Sequence, residues 1–113
     1  MAKTVIVKWD KERKLRYDYN ALTDFEELAG TPINAINLGS MGLFMIRVLV
    51  WAGLKHENEK LTVKEAGIIL NDTIEGGHRD LGQLGEDIGK ALKASGLFKT
   101  EENPNAAAET SGQ

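Results

Sequence analysis

The sequence predicts an α+β fold, mainly α, with an N-terminal β-hairpin packed against a three- or four-helix bundle. Three observations carry this. Two β-rich runs, residues 4–9 and 14–19, flank the polar turn Asp10-Lys11-Glu12-Arg13 at the start of the chain. From Ala21 onward, apolar residues recur at helical spacing. Residues 41–54, MGLFMIRVLVWAGL, have helical length without a polar face.

In the second β run Leu15, Tyr17 and Tyr19 point one way and Lys14, Arg16 and Asp18 the other. A lone hairpin is marginal, so its apolar face must lie on the helices. Asn20 suits the N-cap of a helix over 21–29. Leu22, Phe25, Leu28 and Ala29 share its inner side, with Asp24, Glu26 and Glu27 outward or at the margins. Gly30 ends it in a left-handed conformation, and Pro32 confirms the break.

Ser40 is expected to cap the apolar helix, which runs over 41–55, and 56–60 form a polar loop. Thr62 and Glu65 have capping-box spacing and open a third helix over 63–75. Its stripe is Val63, Ala66, Gly67, Leu70 and Ile74, opposite Lys64, Asn71 and Glu75, and Gly76-Gly77 ends it. A fourth helix over 79–95 places Leu81, Leu84, Ile88 and Leu92 in a narrow arc beside bare Gly82, Gly85 and Gly89. Each glycine costs about 1 kcal/mol of helix propensity relative to Ala. Either the strip permits close helix approach, which offsets that cost, or the helix is simply weak. The expected organisation is one domain over 1–98 and a disordered polar tail over 99–113, which has no large apolar residue.

Composition narrows the function. There are 14 basic and 17 acidic residues, a formal charge of -3, and no basic stripe, so no nucleic-acid partner is expected. Cysteine is absent, which excludes disulfides and thiol chemistry. The apolar run falls short of the roughly 20 residues that span a bilayer, so no membrane association is expected.

Catalytic patterns are poor. His56-Glu57 starts like a zinc-protease motif, but Lys60 stands where the second histidine is needed. His78 has no acidic relay fixed near it by the sequence. Glu26 and Glu27 diverge by 100° on a helix, unlike a glycosidase pair. Ser40 lacks a nucleophile-elbow pattern, and the glycines compose no phosphate loop. No enzyme activity, metal or cofactor is expected.

An all-apolar helix must be covered on every side, by its own domain or by another chain. Arg47 is its sole charge. Unpaired burial would be costly, so Arg47 is expected to pair with Asp24, Glu26 or Glu27, or to snorkel to an edge. Trp51 suits core or interface. The candidate partner-binding residues are Phe44, Met45, Arg47, Val48, Trp51, Leu84 and Ile88. Methionines here offer an adaptable surface or ordinary core filling.

The residues also carry a resemblance. Residues 16–22 (RYDYNAL), 25–30 (FEELAG), 47–54 (RVLVWAGL), His56-Glu57 and 61–67 (LTVKEAG) occur in an order that resembles the small tail assembly chaperones of long-tailed bacteriophages and prophages. Residues 58–60 depart from that family's usual connection, and the match fades after about Leu70. The resemblance implies a non-enzymatic factor in the host bacterial cytoplasm, absent from the mature virion. Such a protein keeps the hydrophobic segments of the tape-measure protein soluble while tail-tube subunits polymerise around it. In many relatives a frameshifted product carries an extension that engages the tail-tube protein, and the polar tail here suits the short form or a linker to that extension; the apolar helix itself leads to the expectation of a homo-oligomer. The alternatives are a small structural virion or connector protein and, further off, a helical transcriptional regulator.

Overall fold

The computed structural model describes residues 3–97. It is an N-terminal two-stranded antiparallel hairpin packed against four helices. Strands β1 (Val5–Lys8) and β2 (Glu12–Leu15) pair with Val5 opposite Leu15 and Lys8 opposite Glu12. The helices are α1 (Tyr19–Ala29), α2 (Leu43–Leu54), α3 (Val63–Glu75) and α4 (Leu81–Ala94). Two 3-10 turns, Ile33–Ala35 and Leu38–Ser40, lie between α1 and α2. The expected tail over 99–113 lies outside the described residues.

The turn of the hairpin is tighter than expected. The Asp10 carboxylate accepts from the Lys11 amide at 2.9 Å and from Arg13 Nε and Nη2 at 2.9 and 2.7 Å. Glu12 and Arg13 are thereby drawn into β2. The hydrogen bonds from Arg13 hold the Asp10 carboxyl below the usual carboxylate range.

β2 stops at Leu15 because the Arg16 amide turns away to donate to the Gly53 carbonyl at 3.0 Å. The next residue seals the contact. Tyr17 is fully buried over Gly53, and its hydroxyl donates to the Leu49 carbonyl at 2.6 Å. A Cβ on residue 53 would stand 2.8 Å from Tyr17 Cζ, so glycine is required by space. Burial pushes the Tyr17 phenol pKa upward and keeps it a donor. Tyr19 does not continue the inward row. It is the first residue of α1 and is exposed. The cap is accordingly Asp18, not Asn20, and its side chain accepts from the Ala21 amide at 2.8 Å. Gly30 closes α1 at φ 71°.

Helix α2 is contacted by α1, α3, α4 and β2. Ile46, Val48, Leu49, Val50, Ala52, Gly53 and Leu54 are buried as a result. Ser40 is not its cap. It belongs to the preceding 3-10 turn, and the capping position falls to Gly42, which has no side chain to offer. α3 has the expected Thr62–Glu65 capping box. Its buried stripe is rotated to Ala66, Ile69, Leu70 and Thr73, leaving Ile74 exposed. The buried Thr73 hydroxyl donates to the Ile69 carbonyl at 2.8 Å.

α4 begins with a second capping box, Asp80 with Gln83. It buries Leu84, Ile88, Ala91 and Leu92, while Leu81 is exposed. Asp87 ties it to the hairpin. Its carboxylate accepts from Trp9 Nε1 at 2.8 Å and from Arg79 Nε and Nη2 at 3.0 and 2.8 Å. Buried charges persist when they are paired and hydrogen-bonded in this way.

Two outcomes follow from this packing. Asp87→Ala strands the buried Trp9 N–H and frees Arg79, so urea unfolding should read a loss of about 2–4 kcal/mol. Gly53→Ala presses a methyl into Tyr17 and should cost about 1–3 kcal/mol in the same assay.

Candidate functional site: an apolar trough

The first turn of α2 is where enclosure fails. Leu43 is 69% exposed and Phe44 49%, although both belong to the most apolar helix of the chain. The reason lies in the segment before it. Residues 38–40 pack toward α4 rather than over the start of α2, and Gly42 brings no side chain.

These residues form one wall of a trough. Leu43, Phe44, Ile46 and Arg47 face Gly67, Leu70, Asn71 and Ile74 of α3 across a hollow of about 380 Å³, with Leu81 at its end. Leu43, Ile46 and Leu81 also line a second hollow of about 280 Å³, which reaches Leu38, Gly82 and Gly85. A third, of about 420 Å³, continues over Gly85 and Gly89 to Lys90 and Lys93, with Glu86 beside them. Shared lining residues make these one trough running from α3 across the start of α2 and along α4.

The glycine strip of α4 is therefore not a helix–helix contact. A Cβ on residue 85 would meet only the Leu38 carbonyl at 4.0 Å, and one on residue 89 only Leu38 Cδ1 at 3.8 Å. The strip faces the 3-10 turn and the open trough.

Arg47 does not pair with an acid of α1. Asp24 binds Lys55 at 2.9 Å, and Glu26 Oε2 accepts from the Ile33 amide at 2.7 Å. Arg47 lies on the α3 side of α2 instead. Its stem fills the space over Gly67, where a Cβ would stand 3.0 Å from Arg47 Cδ. Its Nε is buried without a hydrogen-bond partner among the described residues. Arg16 Nε is in the same condition, but Arg16 lines a hollow that also contains Asp18, Asp24 and Glu59. Among the described residues, the hollow of Arg47 contains no carboxylate.

The other expected partner-binding residues separate into two groups. Val48, Leu84 and Ile88 are fully buried in the core, so the folded subunit does not present them. Their helical faces are the ones that the bundle itself covers. Met45 and Trp51 are half-buried against the core. Trp51 donates from Nε1 to the Leu61 carbonyl at 2.8 Å, and Lys55 Nζ lies 4.5 Å from the centre of its ring. Only Phe44 and Arg47 of the seven border the trough. Sequence reasoning missed Leu43, Ile74 and Leu81 as its rim. The signal was an apolar residue one step outside each buried arc.

His56 is exposed, with Nε2 2.8 Å from the Lys14 carbonyl. Among the described residues no three His, Cys, Asp or Glu side chains gather as a metal site would require. Likewise, no helix among the described residues is long and apolar enough to cross a membrane. No protein-family model, curated protein or solved structure matches the chain.

The open side of the glycine strip sets an expectation. Gly85→Ala and Gly89→Ala should each raise stability by up to about 1 kcal/mol in thermal unfolding, through helix propensity alone.

Proposed function

We propose that this chain is a non-enzymatic phage tail assembly chaperone whose trough holds apolar segments of the tape-measure protein. The observation that carries the reading is the open first turn of α2, with Leu43 and Phe44 uncovered above a trough bordered by three helices. A contiguous exposed apolar surface rimmed by polar residues marks a binding site for another chain. The ordered likeness of segments within residues 16–67 to tail assembly chaperones supports a tape-measure segment as the client.

On this reading the protein acts in the host bacterial cytoplasm and leaves before the virion is complete. Self-association would align several troughs along one long client, giving avidity from weak individual contacts. Recruitment of tail-tube subunits belongs to the same assembly step.

Co-expression with overlapping tape-measure fragments tests this. The intact chain should co-purify with apolar fragments and keep them soluble. Leu43→Asp combined with Leu81→Asp should abolish capture while leaving the helical circular-dichroism spectrum and unfolding midpoint near those of the parent, because both side chains are already exposed. Retention of the protein in purified virions would instead identify a structural or connector component. Failure to capture any fragment would overturn the chaperone reading.

A further inference from the structure

We propose that the preferred occupant of the trough is an apolar helical segment of a partner chain bearing a carboxylate, and that Arg47 receives that carboxylate. This rests on the reading of the trough as a client-binding surface and adds the chemistry of the client.

The electrostatics of the trough point this way. The chain carries a formal charge of -3, yet among the described residues the trough has Arg47, Lys90 and Lys93 against Glu86 alone. The cationic bias is therefore local. Arg47 is held by packing of its stem over Gly67 and pairs with no acid among the described residues. A buried guanidinium N–H without a partner is costly in the free protein. A carboxylate arriving among apolar side chains would form a charge-assisted pair with the half-exposed end of the guanidinium. The low local dielectric strengthens such a pair relative to water.

The shape favours a helix. The walls are helical, and an amphipathic helix lying in an apolar groove is a recurrent mode of recognition. The bare strip from Gly82 to Gly89 runs about 10 Å along α4 and lets an incoming backbone come close. Two other occupants fit less well. The chain's own residues 99–113 contain glutamates but no large apolar side chain. In a second copy, the α1 acids Asp24 and Glu26 are already engaged by Lys55 and the Ile33 amide, which leaves Glu27 beside Leu28 as the one α1 acid on offer.

The test uses the intact protein and three synthetic helical peptides of about 20 residues. Each has a Leu/Ala-rich face with Glu, Gln or Lys at its centre, and binding is followed by fluorescence anisotropy. The Glu peptide should bind at least about tenfold more tightly than the Gln peptide, and the Lys peptide more weakly than either. Arg47→Met should level the Glu and Gln peptides without lowering the unfolding midpoint, since it removes an unpaired donor. Arg47→Glu should invert the preference toward Lys. Should either variant fail to fold, the three peptides on the parent protein decide the matter alone.

Equal binding of Glu and Gln peptides to the parent would overturn the inference and leave the client reading standing. Binding of no peptide would overturn it as well, while capture of tape-measure fragments would still judge the client reading separately. Self-association that Arg47→Met abolishes and the Glu peptide displaces would make a second copy the occupant, and would also overturn it.

Discussion

The structure depends on covering a twelve-residue helix that has almost no polar side. No single neighbour can enclose such a helix, so the chain surrounds α2 with α1, α3, α4 and the second strand. The closest of these approaches is Tyr17 over Gly53. Its phenol lies where any other residue's side chain would begin, and its hydroxyl reaches a carbonyl on the same helix. That contact explains why β2 is short and why α1 starts at Tyr19. The strand ends where its backbone changes partner from β1 to α2.

Local chemistry made much of the fold legible. Thr62 and Glu65 announce α3 because a reciprocal cap needs only three residues of spacing, and Gly30 announces the end of α1 because its φ is positive. Features that depend on distant neighbours were not legible in this way. Ser40 is a good capping residue by type, but the chain between residues 31 and 42 takes two 3-10 turns and uses Gly42 instead. Asp87 looks like one polar residue among many on α4. Only the fold brings Trp9 and Arg79 to it.

The site was legible in part for the same reason. The uniform apolarity of α2 says that a surface must be covered, without saying which turn escapes. Phe44 and Arg47 border the trough, whereas Val48, Leu84 and Ile88 sit on arcs that the bundle fills. Arg47 was expected to pair with an acid on α1 or to snorkel to an edge. Helical geometry sends it to the α3 side, where Gly67 leaves room for its stem and no carboxylate of the described residues lines the hollow. A charge placed without a counter-charge on an apolar wall is an unsatisfied local demand, and such exceptions to sequence logic concentrate where proteins meet other molecules.

The bond between Trp9 and Asp87 joins residues 78 positions apart. During synthesis at about 5–20 residues per second, some 4–16 s separate the appearance of the two side chains. In the later part of that interval, once Leu54 has been added, α2 is already made, but α4 is not there to finish its enclosure. A proposed keeper of apolar segments thus passes through a stage at the ribosome in which it exposes one of its own. Contacts among α1, α2 and β2, which are nearer in sequence, are the ones available to shelter it until the last helix emerges.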